Sequence, residues 1–327
     1  MHHRIFFRGR LWAAAAGKTV ACGEVSTECS ETAPGYLEPL DHHVDSVLIL
    51  ADGRLATASF GGIFLYSTDQ CHAVARQSNP PVAHAPCAHV LDFEGWARSL
   101  LPAPTVPWLA ATTETSMLRL WRVTDRAHFV IYGYGGPVDA LAWRDDSTQL
   151  ASSSGDECAV WPFSGLCGPA GGTPSKFKTG ARINCLAFAP RGGPLAIGDE
   201  RGNVYLWSSD GGGGLLSGAT AEERVGALSE PIAIAGQLRA AAAAGGACSV
   251  PGSSGAIDGV VGLAWLGGRE EDATVSGGGN GVRPGLRGYN AVWPRLLVCL
   301  ASGYVGSCGL VPSTSGAFGL ESISASG

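Results

Sequence analysis

The stretch from Gly136 to Trp207 states one pattern twice, and that repetition narrows the folds open to the chain. Its first half reads Val138-Asp-Ala-Leu141-Ala-Trp143, then Leu150-Ala-Ser152-Ser-Ser154-Gly-Asp156, then Ala159-Val160-Trp161. Its second half reads Ile183-Asn-Cys-Leu186-Ala-Phe188, then Leu195-Ala-Ile197-Gly198, then Val204-Tyr-Leu206-Trp207. Turn residues break the runs, Arg144-Asp-Asp-Ser147 in one half and Pro190-Arg-Gly-Gly193 in the other. Alternation at period two puts every second side chain on a buried face, so the runs are half-buried strands and the polar breaks are hairpins. The closing tryptophans, Trp161 and Trp207, are 46 residues apart. An all-β fold of repeated antiparallel units is expected.

Other stretches carry the same three-run pattern. Val44-Asp-Ser-Val47-Leu-Ile49, Arg54-Leu-Ala-Thr-Ala58 and Ile63-Phe-Leu-Tyr66 make a unit with Asp52-Gly53 as its hairpin. Cys87 to Phe93 is read as the first strand of the next unit, followed by Trp108 to Thr112 and Met117 to Trp121, with Pro102, Pro104 and Pro107 between. Phe129 to Tyr132 and Lys176 to Lys178 are candidate outer strands. Val260 to Trp265 and Arg295 to Ser302 open a last unit. Leu11 to Ala16 and Thr19 to Val25 are read as two strands of an incomplete first unit with no first strand before them. The clearest units are 42–70, 87–125, 129–165, 176–210 and 258–310, within one domain spanning 1–327. The glycine- and alanine-rich segments 211–257 and 267–294 are low-complexity insertions, expected as mobile loops. Ala240 to Ala244 could form a helical turn, and Pro312 to Gly327 is expected to fray or to add a partial strand.

With these residues in view, about 42 to 310 resembles the WD40-repeat family. The resemblance implies a β-propeller of four-stranded antiparallel blades, six or seven in number, with an incomplete N-terminal blade. In that family a His, a Ser or Thr, an Asp and a Trp often form a hydrogen-bonded tetrad that staples a blade. Here Ser152 or Ser154, Asp156 and Trp161 match, but the His place falls on Tyr134. The Asp place falls on Arg201 in the next blade and on Thr115 in the blade before, so apolar packing is expected to do most of the stapling. Trp207 and Trp121 take the closing places of those blades. The linker Trp161-Pro-Phe-Ser-Gly165 with Gly168-Pro169 and Gly171-Gly-Thr-Pro174 is similar to an inter-blade stretch in WD40 proteins of bacteria and photosynthetic microbes.

Composition closes several functional routes. The net charge of −6 supplies no basic field for phosphate backbones, so no direct nucleic-acid partner is expected. No apolar run reaches the roughly 18 residues of a membrane span. The ten cysteines are scattered with no Cys-x-x-Cys, several lie inside apolar strand runs, and the chain is not a small secreted domain, so a reduced compartment is expected: the cytoplasm, or an organelle if the basic stretch Met1 to Arg10 is a transit segment. Gly-x-Ser-x-Gly is absent, and the glycine runs 211–214 and 277–279 lack the Lys-Ser/Thr of a phosphate cradle. The carboxylate pairs Asp145-Asp146, Glu222-Glu223 and Glu270-Glu271 sit in turns or low-complexity sequence. His84, Cys87 and His89, with Cys71 and His72 upstream, fit no standard zinc spacing, and a solvated loop is the better reading. No catalytic residue, cofactor or metal is expected.

What remains is a non-catalytic scaffold that recognises a protein or peptide through loops on the propeller rim. The candidate contacts are His43, Asp45, Tyr134, Asp139, Arg182 and Asn184, all near one rim by position. The rival reading is a propeller hydrolase or lyase with its site over the central channel.

Overall fold

Wherever the alternating runs are described, they are strands. The computed structural model describes residues 4–8, 10–24, 34–69, 85–208, 227–229, 232–235, 237–238, 240, 259–266, 294–302, 305–312 and 318–326. The chain divides into two units, Met1–Gly155 with Val160–Pro174, and Asp156–Ala159 with Ser175–Gly327, and each is taken by itself.

The first sheet runs in the order β1 (Arg4–Arg8), β2 (Leu11–Ala16), β3 (Thr19–Glu24), β4 (Gly35–Tyr36). It corrects the expectation of two strands with none before them. Arg4 stands opposite Ala15 and Arg8 opposite Leu11, so β1 is paired over its whole length. Its adjacent phenylalanines and basic ends conceal the period of two that identifies a strand.

The next six strands form one hydrogen-bonded path: β5 (Ser46–Ile49), β6 (Arg54–Ser67), β7 (His89–Pro102), β8 (Trp108–Thr113), β9 (Leu118–Arg122) and β10 (Ala127–Ile131). A straight strand of β6's 14 residues would span about 45 Å. Instead the Thr68 hydroxyl donates to the Gly53 carbonyl at 2.5 Å, so the two ends of β6 meet. The chain folds back at Gly61-Gly62, with φ of +83° and +154°, a region closed to most side chains. A Cβ on Gly62 would also lie 2.7 Å from the Leu91 carbonyl oxygen. β7 changes partner along its length: Trp96 still faces Phe60 on β6, whereas Ala97 faces Thr113 on β8. The path is therefore two four-stranded units sharing a bent strand. Cys87–Phe93 does not open the third unit. Its strand residues, from His89 on, end the second unit, and Ala97–Pro102 opens the third. Pro102 is tolerated because it is the last residue of that strand, opposite Leu109.

β11 (Ala140–Trp143), β12 (Gln149–Ser154), β13 (Glu157–Pro162) and β14 (Ser175–Lys178) follow in simple order. The second unit, to which β14 belongs, continues with β15 (Ile183–Phe188), β16 (Leu195–Asp199) and β17 (Asn203–Ser208). The outer side of β17 is shared by two short strands, β18 (Ala227–Leu228) and β19 (Ile232–Ala233). The last sheet is β20 (Val260–Leu266), β21 (Arg295–Leu300), β22 (Val305–Pro312) and β23 (Phe318–Ser326), so the tail forms a full strand rather than fraying.

Most of the two low-complexity segments lies outside the described residues, as do Ala241 to Ala244. The part that is described does not behave as a loop. Ile234 and Leu238 are buried against Val204, Leu206 and Val260 in one apolar cluster. One packing device recurs between neighbouring units. Trp143 Nε1 donates to the Leu101 carbonyl at 3.3 Å, and Trp265 Nε1 to the Ala187 carbonyl at 3.0 Å. Each tryptophan ends a Leu-Ala-Trp run on the first strand of its sheet and reaches back to the first strand of the unit before it. Burying the ring and satisfying its N–H together fixes the stacking of successive sheets.

Candidate functional site

In the first unit the polar atoms near β12 form a closed triangle. The Tyr134 hydroxyl lies 2.8 Å from Ser152 Oγ, and Trp161 Nε1 donates to both at 3.1 Å. A tyrosine thus occupies the histidine place and adds a polar staple to a blade expected to rely mainly on apolar packing. Half-buried polar groups of this kind are tolerated because each has a partner. Ser154 Oγ donates to the Gly136 carbonyl at 3.0 Å, and Asp139 Oδ2 accepts the Gly155 N–H at 3.2 Å. Trp121 is buried and stacks on His128, centroids 5.0 Å apart and planes at 17°.

The second unit solves the same problem differently. Trp207 stacks on Phe177 at 5.8 Å, and its Nε1 is buried with no hydrogen-bond partner. Ile197, fully buried, stands where Ser152 stands in the preceding repeat. The polar anchor is Asp199, also fully buried, which sequence reasoning missed because it looked for an acid at Arg201. Asp199 Oδ1 accepts the N–H groups of Arg201 and Asn203 at 2.9 and 2.8 Å. Its Oδ2 accepts Asn203 Nδ2 at 2.9 Å and the Tyr205 hydroxyl at 3.3 Å. Burial, and the neighbouring Asp199 charge, push the Tyr205 phenol up. Asp156, in this unit, offers its carbonyl to the N–H and hydroxyl of Thr179 at 3.0 and 3.3 Å. Of the two rim candidates here, Asn184 donates to the Val260 carbonyl at 3.1 Å and stitches β15 to β20. Arg182 exchanges backbone contacts with Glu200, its carbonyl accepting at 2.9 Å and its N–H donating to Oε1 at 3.4 Å.

His43 and Asp45 do come together, Nε2 to Oδ1 at 3.5 Å. Around them stands an aromatic patch built from three separate stretches. His43 stacks on Trp96 at 4.4 Å, and His42 meets Phe60 edge-on at 4.8 Å and Trp96 at 5.6 Å. Phe60 and Trp96 are 5.3 Å apart. The loop before β5 supplies the histidines, the reversal of β6 supplies Phe60, and the corner of β7 supplies Trp96. Ser59 Oγ donates to the His43 carbonyl at 2.8 Å and ties loop to turn. Phe60 is 42% exposed, and a large exposed apolar ring is the informative exception on a surface. The available signal was Phe60 directly before a glycine pair at a hairpin tip.

Of the zinc candidates, Cys71, His72 and His84 lie outside the described residues. Cys87 Sγ donates to the His89 and Leu65 carbonyls at 3.2 and 3.7 Å, and burial pushes its thiol up. Among the described residues no group of three His, Cys, Asp or Glu side chains could hold a metal ion. No disulfide joins the described cysteines to one another. Burial raises Cys308 to about 11 and Cys185 to about 12, and pushes Cys158 higher still. Among the described residues no helix is long and apolar enough to cross a membrane.

Repeated four-stranded antiparallel sheets, closing tryptophans and a Tyr–Ser–Trp staple match a WD40-type β-propeller fold. No family model matches the chain. It is 22% identical over 208 residues to WD repeat-containing protein 1 of Bos taurus and, equally, of Gallus gallus, covering 46% of this chain and 32% of each relative. It is 24% identical over 202 residues to WD repeat-containing protein 1-A of Xenopus laevis, with the same two coverages. The matched region therefore spans about a third of those relatives. A chain in the crystal structure of the mitotic checkpoint complex superposes with a TM-score of 0.59 at 14% identity, over 98% of this chain and 78% of that one. The chain is similar to the WD40-repeat family in sequence and carries its fold.

Proposed function

We propose that the chain is a non-catalytic interaction scaffold that docks a protein or peptide on its propeller rim, with His42, His43, Phe60 and Trp96 as the central contact. The observation that carries this reading is the exposure of Phe60 within a cluster of four rings. Aromatic anchors of this kind dominate binding energy at protein interfaces. Asp45, which pairs with His43, is the polar contact beside it; Asp139 and Arg182 are separate candidate contacts by their place in the repeat, and the side chains of Tyr134 and Asn184 serve mainly to hold strands. The acidic net charge favours a protein partner over nucleic acid. The naming of the relatives as WD repeat-containing proteins, and of the structural neighbour as part of a complex, supports an assembly role.

Affinity capture from native lysate, read by mass spectrometry, tests this with wild type, Phe60→Ser and Tyr134→Phe. A recurrent protein lost with Phe60→Ser but kept with Tyr134→Phe supports the rim patch. A partner indifferent to Phe60→Ser removes it.

A further inference from the structure

A second surface of the first unit carries unneutralised positive charge. His89, Leu91 and Phe93 alternate onto one face of the first arm of β7. Leu91 and Trp121 of β9 share a buried cluster, with Phe93 packed against it. His128 of β10 stands opposite Trp121 in register and stacks on its indole. The Arg119 guanidinium lies 5.0 Å over the Phe93 ring, and its Nη1 is 3.4 Å from His128 Nε2. Arg126, in the turn before β10, places Nη2 2.8 Å from His89 Nδ1. The seam between β7 and β9–β10 thus has an apolar floor and two arginine–histidine pairs.

An imidazole nitrogen that accepts from a guanidinium is unprotonated, so it neutralises nothing. Among the described residues neither Arg119 nor Arg126 has a carboxylate within ion-pair distance, and Arg119 Nε is buried without a partner. Among the described residues, five further arginines of the unit contrast with them: Arg10 pairs with Glu24, Arg54 with Asp52, Arg98 with Glu114, Arg122 with Asp125 and Arg144 with Asp146. Asp125, next to Arg126 in the chain, is occupied by Arg122 through both oxygens at 2.8 and 2.6 Å. Arg119 and Arg126 thus stand together on one seam without an acid, in a chain whose net charge is −6. β10 also ends its sheet path, so its outer backbone edge can take an added strand.

We infer that this seam binds an acidic partner segment, an extended peptide laid along β10 with its carboxylates on Arg119 and Arg126. Arginine suits the task because its fork pairs a carboxylate through two parallel hydrogen bonds. The site is independent of the rim patch, so Phe60→Ser leaves it unchanged.

The test is fluorescence anisotropy of a labelled glutamate-rich peptide with the full chain at low ionic strength. The peptide binds, a lysine-rich peptide does not, and Arg119→Gln with Arg126→Gln weakens binding about tenfold, the loss expected when charge-assisted hydrogen bonds go. Arg98→Gln, which removes an arginine that already has its acid, leaves binding unchanged. Arg126→Gln alone, at an exposed turn, weakens binding with an unaltered melting curve, which separates the effect from misfolding. No binding, or equal binding by the double variant, overturns the proposal. So does saturable displacement of the peptide by inorganic phosphate at matched ionic strength, which would make the seam a phosphate site.

Discussion

The sheet β11–β14 and the sheet β15–β19 carry one repeat, yet they are held by different chemistry. In the first, a tyrosine hydroxyl, a serine and an indole N–H satisfy one another. In the second, the serine has become Ile197, the indole N–H of Trp207 is orphaned, and a buried aspartate clips the turn one strand away. The repeat preserves shape: alternating apolar strands and closing tryptophans. Its polar anchor is free to move between positions of the repeat. An orphaned N–H costs about 1–3 kcal/mol, which one well-satisfied carboxylate can offset.

The largest break in this comparison comes from Asp199→Ala. It strands two backbone N–H groups, the Asn203 amide and one Tyr205 contact, and lowers stability by about 3 kcal/mol in urea unfolding. Gly198→Ala comes next. A Cβ there would sit 2.6 Å from Val260 Cγ1 and 2.7 Å from Cys185 Sγ, so a loss of about 2 kcal/mol is expected from overpacking. Tyr134→Phe removes one hydroxyl and leaves Trp161 with Ser152, at a loss of about 1 kcal/mol. Ile197→Thr offers Trp207 the acceptor that the other sheet possesses. Its net change stays within about 1 kcal/mol, where an ordinary buried hydroxyl without a partner costs more.

The smallest effect is a slope with pH. Burial raises the thiols of Cys158, Cys185 and Cys308 and the Tyr205 phenol in the second unit. Each folded group holds its proton at pH values where the unfolded chain has lost it. Their contribution is complete below the ordinary thiol value of 9.0 and is lost as pH rises toward about 12 at Cys185. Denaturant midpoints measured from pH 8 upward should fall, and Cys185→Ala should flatten that fall.

The sequence shows most where burial is one-sided. β11 to β13 and β15 to β17 are legible because one face is core and the other polar, so alternation survives. β1 and the second arm of β7 are hidden by paired large side chains, Phe6-Phe7 and Leu100-Leu101. Ile234 and Leu238 are hidden by the glycines and alanines around them, although both are buried. Of the site, Tyr134 is found by offset, but its role is not, because a hydroxyl 18 residues away from Ser152 in the chain carries no local signal. The patch of His42, Phe60 and Trp96 is assembled from three stretches, and only pairing brings them together.

The central claim is that a tyrosine hydroxyl replaces histidine in stapling the β11–β14 sheet. A double-mutant cycle of Tyr134→Phe and Ser152→Ala, read by denaturant unfolding, tests it most directly. A coupling of about 1 kcal/mol between the two changes is expected. Strictly additive losses would contradict it and leave that blade to apolar packing alone.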